Sequence, residues 1–146
     1  MNIDRYNALL MKLQMGSFLE LVQQEKKITQ IVFDHPLYSD VFEKQVVNFQ
    51  YPKVNSYYNL NSQATSVLRY EDSKPFIIQH NNTFVSTASI TIDNTNFQSS
   101  PLIVPTLYNM AQHSLPLPKL YYEIGKQNTY AIPVKLLQDE ILTLKD

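Results

Sequence analysis

The chain holds two glycines in 146 residues, Gly16 and Gly125. They are far apart, and that excludes whole classes of backbone. A dinucleotide-binding turn needs three closely spaced glycines so that the main chain can approach a pyrophosphate. A phosphate-cradling loop of the Walker type needs two glycines followed by Lys and Ser or Thr. A nucleophile elbow needs glycine on both sides of its serine. None of these can be written on this chain.

The cysteine count is zero. That removes disulfides, thiolate nucleophiles and thiolate zinc sites. At this length a domain buries enough surface to fold without such staples. Apolar residues make up 44% and charged residues 17%. Intrinsic disorder combines low hydrophobicity with high net charge, and net charge here is −1, so a folded chain is expected. No global field draws it to nucleic acid or an anionic membrane. Lys26-Lys27 is the one adjacent basic pair. The first residues carry Asp4, Arg5 and Lys12, and their longest apolar run, Ala8 to Met11, is too short for a signal core or a membrane span. A cytoplasmic protein is expected (host cytoplasm, were the gene viral).

Periodicity outlines the elements. Ile3, Tyr6, Leu9, Leu10 and Leu13 recur at spacings of three and four, predicting a first helix with Leu9 and Leu13 in the core. Gly16 supplies its stop. Ser17 and Glu20 match a capping box, so a second helix is expected there, with Phe18, Leu21 and Val22 facing inward. Ile28 to Phe33 reads as a strand before Pro36. Tyr38 to Tyr51 reads as a helix from Ser39 to about Asn48, and 52–64 as a loop. Then comes an antiparallel meander: a strand from Thr65, a turn at Asp72-Ser73-Lys74-Pro75, a strand Pro75 to His80, a turn, and a strand Phe84 to Ile92. Pro105 opens a mid-chain helix with Leu107, Met110, Ala111 and Leu115 as its apolar face. A hairpin turning at Gly125 and a closing helix from Pro133 complete the chain. The order predicts one α+β domain over 1–146, with N-terminal helices, a mid-chain helix, a C-terminal helix and a mostly antiparallel sheet.

Few residues carry recognisable chemistry. His35, His80 and His113 are scattered, so neither a metal nor a cofactor is expected. Asp34-His35 could form half of an acid–base pair. Asp is also an ordinary turn residue, with His35 then at the surface. Two features rise above this background. Residues 75–118 contain one formally charged side chain, Asp93, although exposed strand edges are usually guarded by charge. Association surfaces are depleted in Lys, Glu and Asp, so a partner or a second copy would cover this stretch. Biased codon use filling surface positions with Asn and Gln is the alternative. Second, Tyr51, Tyr57, Tyr58, Asn59 and Tyr70 gather around the central loop. Tyrosine pairs a large rigid face with a polar tip, which suits recognition. It also serves as a cap on a core.

The expectation is a non-catalytic protein-binding module: an adaptor, inhibitor or assembly subunit. It would meet another protein or its own copy through the uncharged β-rich middle and the Tyr/Asn loop. The Asn- and Gln-rich composition suggests an AT-rich bacterium, phage or mobile element. Two alternatives stand beside it. One is a single-stranded nucleic-acid binder that stacks bases on the tyrosines, for which only Lys53 and Arg69 lie nearby as cations. The other is a small hydrolase built around Asp34 and His35.

Overall fold

The computed structural model describes residues 3–39, 41, 50–115 and 124–125. The chain divides into two compact units, 1–116 and 117–146. Of the second, the described part is the turn at Ile124 and Gly125, where Gly125 takes a φ of 85°. The expected helix at 39–48 lies almost entirely outside the described residues, as do the C-terminal hairpin strands and closing helix.

The first unit is α+β, as the element order predicts. Helix α1 (Ile3–Lys12) is followed by strands β1 (Ser17–Val22), β2 (Lys26–Ile31), β3 (Lys53–Val54), β4 (Tyr57–Asn61), β5 (Thr65–Tyr70), β6 (Pro75–His80) and β7 (Thr83–Ser86). A single 3-10 turn, Phe97–Ser99, leads into helix α2 (Ile103–Ser114). Every described strand pairing is antiparallel. The strands run β3-β2-β5-β6-β7 in one sheet and β1-β4 in a second. β3 and β4 are nearly continuous in sequence, so the 53–61 run leaves the edge of β2 and goes on to pair with β1. The Tyr58 N–H donates to the Thr87 carbonyl at 2.8 Å, joining β4 to the end of the meander. Register shifts at Phe18/Leu21, Ile28/Gln30, Ser66/Leu68 and Leu68/Arg69 add the local twist that curls the sheet.

The meander is where the sequence pattern and the structure agree best. β5 and β6 are inner strands of the five-stranded sheet, as β2 is, and Val67, Leu68, Phe76, Ile77 and Ile78 are all buried. Consecutive buried residues mean both faces are covered, which explains apolar runs where a half-exposed strand would alternate. Ser73 and Asn81 take positive φ in the two connecting turns. The core proper gathers Ile28, Leu37, Tyr38, Val54, Tyr57, Tyr70, Phe76, Phe97 and Leu102. An aromatic file runs through it, Tyr57–Tyr70–Phe76–Phe97, with centroids 5.0, 5.6 and 5.2 Å apart. Each such pair contributes about 0.5–1.5 kcal/mol beyond its buried area. A smaller core of Leu10, Met15, Phe18 and Ile78 lies under α1.

The structure corrects several expectations. Ser17–Val22 is a strand, not a second helix. Gly16 has a φ of 90°, and a Cβ there would stand 2.0 Å from the Asn61 carbonyl oxygen. The chain therefore reverses at a point where only glycine fits and enters pairing with β4. The loop expected at 52–64 contains β3 and β4. The strand expected to reach Ile92 ends at Ser86, and Ile92 is 87% exposed. Helix α1 exists but buries a different face: Leu10 is 4% exposed, Leu9 52% and Leu13 37%. Of the expected α2 face, Met110 is half-buried against the core, while Leu107, Ala111 and, just past the helix end, Leu115 are exposed, and Thr106 is the buried residue.

The two helices share a physical reason. Each is pinned by polar side chains on its inner face. The Asn7 amide donates to the Phe18 carbonyl at 2.9 Å and accepts the Phe18 N–H at 2.8 Å. The Thr106 and Tyr38 hydroxyls are bonded at 2.6 Å, and the Asn109 amide donates to the Leu37 carbonyl at 2.6 Å. A buried polar group must be bonded. These bonds fix the helix rotation against the pull of the apolar stripe.

Candidate functional site

Tyr57, Tyr58 and Asn59 come together with Leu19, Leu60, Lys74 and Pro75 around a groove of about 310 Å³. Strands β1 and β4 form one wall, and the β5–β6 turn the other. Alternation along β4 sends Tyr57 into the main core and Tyr58 and Leu60 onto the smaller one. Tyr58 rests against Phe18, with centroids 5.3 Å apart. The Lys74 ammonium donates to the Asn59 side-chain Oδ1 at 2.9 Å, and the Asn59 Nδ2 donates to the Glu20 carboxylate. That bond holds the exposed Glu20 carboxyl below its ordinary range. Asn59 thus links a cation and an anion across the rim.

The outer edge of β1 completes the site. Both main-chain groups of Phe18 turn away from β4, where the Asn7 amide meets them like a neighbouring strand. The Tyr58 N–H also points away from β1, toward Thr87. The Leu21–Tyr58 pair is therefore a non-hydrogen-bonded one, and the Leu21 N–H and C=O face the open side. Leu19 is 47% and Leu21 46% exposed there. Asn7 closes the first half of the edge and leaves the second half accessible.

The other predicted binding residues have different positions. Tyr70 is fully buried and Tyr57 is 2% exposed: both take the core-cap role that the sequence left open, with bonded or stacked rings. The Tyr70 hydroxyl is bonded to Thr87 at 3.0 Å, and burial pushes its pKa up. Tyr51 is half-buried, ahead of β3, and does not line the groove.

Beneath the groove lies a group that sequence reasoning missed. Lys26 is buried, with its ammonium 4.7 Å from the Tyr57 ring centre, 6.0 Å from that of Tyr70, and paired with Asp72. Burial, the largest single influence, lowers the Lys26 pKa, but Asp72 and Tyr57 together outweigh it and the value is raised. The Asp72 carboxyl is likewise pushed up by burial, and Lys26 and Lys74 together bring it below its ordinary range. Lys26 and Lys27 alternate in and out along β2, so they form no basic patch. The sequence signal was the alternation itself, with Lys26 and Ile28 on one side.

Asp34 and His35 do not form a pocket among those described. Asp34 is exposed, while His35 is 5% exposed, not the surface residue expected. Its Nδ1 accepts the Leu37 N–H at 3.2 Å. Burial lowers its pKa, and the charge of nearby His113 adds to that. Among the described residues no three His, Asp or Glu converge as metal ligands, and no helix is long and apolar enough to cross a membrane.

The charge-poor stretch 75–118 now has a structural explanation. Thr87, Asn94, Thr95, Ser100 and Thr106 are all buried polar residues within it. Asn94 alone accepts from the Ser56 N–H and hydroxyl and donates to the Ser56 and Ser89 carbonyls. Amides and hydroxyls can be buried once bonded, whereas isolated charges cannot. Part of the missing charge therefore reflects interior polar bonding, not an open interface. Compared with protein-family models, curated proteins and solved structures, the chain matches none, so a function must be argued from the chemistry of this groove and edge.

Proposed function

We propose that this chain is a non-catalytic protein-binding module, an adaptor, inhibitor or assembly subunit, that takes an extended segment of a partner along the β1 edge and the adjoining groove. The observation that carries this is the open half-edge of β1 beside Leu19 and Leu21. Exposed main-chain groups provide affinity for an added strand, and alternate side-chain sites provide specificity. Tyr58, Leu60 and Pro75 supply apolar floor and wall. Glu20, Asn59 and Lys74 supply a polar rim with both signs of charge. Nucleic acid is disfavoured by the same groove: its one cation, Lys74, is bonded to Asn59 and faces Glu20, whereas a phosphate backbone needs a basic track.

The test is Leu21→Lys, with Leu19→Lys as a second variant. Both side chains are exposed, so stability should change by less than about 0.5 kcal/mol. Tagged wild type retrieved from its source cells should carry a partner that both variants lose. Equal capture by wild type and variants would sink the β1 site. Salt-dependent retention of a labelled oligonucleotide would favour nucleic acid instead.

A further inference from the structure

Helix α2 is anchored on one short turn. Among the described residues, its long-range hydrogen bonds go to two neighbours. The Asn109 amide donates to the Leu37 carbonyl, and the Thr106 and Tyr38 hydroxyls share a bond, both at 2.6 Å. The main chain of α2 runs close to the 3-10 turn before it and only marginally to any described strand. The turn that carries both anchors is held in shape by His35. The Tyr38 N–H donates to the His35 carbonyl at 2.8 Å, and the Leu37 N–H donates to His35 Nδ1 at 3.2 Å. His35 is 5% exposed, so water does not readily replace that acceptor.

An Nδ1 that accepts a main-chain N–H keeps its lone pair, which places the ring proton on Nε2. A second proton can then go only to Nδ1. It turns the acceptor into a donor aimed at the Leu37 N–H, and two donors face each other in a buried site. The groups around the ring do not offset the new charge. Gln79 of β6, which bonds to the ring, is neutral, and His113 of α2 is a second imidazole whose charge opposes it. The Asp34 carboxylate is exposed and is not among the groups that shift His35.

We propose that His35 is an acid-operated latch on α2: a proton on Nδ1 breaks the 35–38 turn, and α2 comes away from Leu37 and Tyr38 while the meander stays folded. Leu37 must move to separate the two donors, and its carbonyl and the next side chain are the two anchors. The meander has its own support in the β5–β6–β7 pairing and the Tyr57–Tyr70–Phe76–Phe97 file, which include neither α2 nor the turn. Burial holds the closed form's imidazole below its ordinary value, so the open form takes the proton more readily and acid shifts the balance toward it. The shift is bounded at tenfold per pH unit below about 6.5 and stops at the closed form's own value.

Native-state hydrogen exchange of the full chain, corrected for intrinsic rates, tests the latch. From pH 7.5 to about 5 the α2 amides should lose protection several-fold or more. At the lower pH they should exchange faster than those of β6 and with little dependence on denaturant, since a local opening bares little surface. Tyr38→Phe removes one anchor and keeps the ring, so it should lower α2 protection already at pH 7.5. His35→Gln keeps an acceptor and cannot take the charge, so its α2 should be insensitive to acid. Equal protection and equal denaturant dependence in α2 and β6 of the wild type would mean that they open only together, which overturns the latch. Undiminished α2 protection in acid overturns it as well, and so does a folded His35→Gln variant that loses as much as the wild type.

Discussion

Lys26 shows how one residue can carry more of the fold than its type suggests. Its ammonium is almost fully enclosed, while the Asp72 side chain is 36% exposed. That asymmetry makes the two partners unequal. Removing the carboxylate in Asp72→Asn leaves a buried cation supported by Tyr57, through its ring and a side-chain hydrogen bond, and by the Tyr70 ring. Removing the cation in Lys26→Met leaves a carboxylate that water can reach. Denaturant melts should therefore show Asp72→Asn costing about 1–3 kcal/mol and Lys26→Met less than about 1, the exposed partner reducing both below a fully buried pair. Because the folded pKa of Asp72 is depressed, this contribution is present above the ordinary carboxylate value and lost as pH falls through the folded one. Equal costs for the two variants would show that the cation is not held in this way. Of the tyrosines expected to bind, only Tyr58 combines a half-exposed ring with the groove; Tyr57 and Tyr70 enclose Lys26 instead. Composition could not separate those roles, since a tyrosine suits a core cap and a contact equally.

At the level of elements, the helices are the instructive failures. Helix α1 was legible as a helix, but its end was not: it stops at Lys12 with Gln14 at a φ of 57°, and Gly16 instead makes the turn into β1. Its face was misread as well. The stripe Tyr6, Leu9, Leu13 satisfies the same periodicity as Ile3, Asn7, Leu10, and hydrophobicity favours the first. Tertiary bonding of Asn7 to Phe18 chose the second. Leu10→Ala should cost about 2–5 kcal/mol, and Leu9→Ala less than about 0.5. Thermal or denaturant melts of the pair settle the orientation, and a larger loss for Leu9 would reverse it. β1 failed for a related reason. Phe18, Leu21 and Val22 fit a helical spacing, and leucine favours helices, but pairing with β4 is a non-local gain that overrides local preference.

For the molecule as a whole, the buried His35 gives stability a pH dependence. It is buried, its Nδ1 is already an acceptor for the Leu37 N–H, and its pKa lies below the ordinary value because of burial and the charge of His113. The unfolded chain therefore binds a proton more readily than the folded one. Stability from this group is complete above about pH 6.5 and is lost as pH falls from there through the folded value. The melting temperature should fall between pH 7.5 and about 5. His35→Gln, which keeps an acceptor, should flatten that dependence in parallel calorimetric scans. An unchanged slope in the variant would assign the effect to other groups.

The sequence by itself determined the α+β class, the β5–β6–β7 meander with its two turns, a chain reversal at Gly16, and the motifs that are absent. These follow from local rules: period-two and buried-run patterns, turn residues, and the backbone freedom that only glycine provides. The tertiary structure alone decided which faces the helices bury, that Ser17–Val22 and Tyr57–Asn61 pair as a ribbon, and that much of the uncharged stretch is interior. Each of those depends on where a polar side chain finds its partner at long range. Asn7 with Phe18, Thr106 with Tyr38 and Asn94 with Ser56 are separated by 11, 68 and 38 residues, and no local pattern encodes such distances.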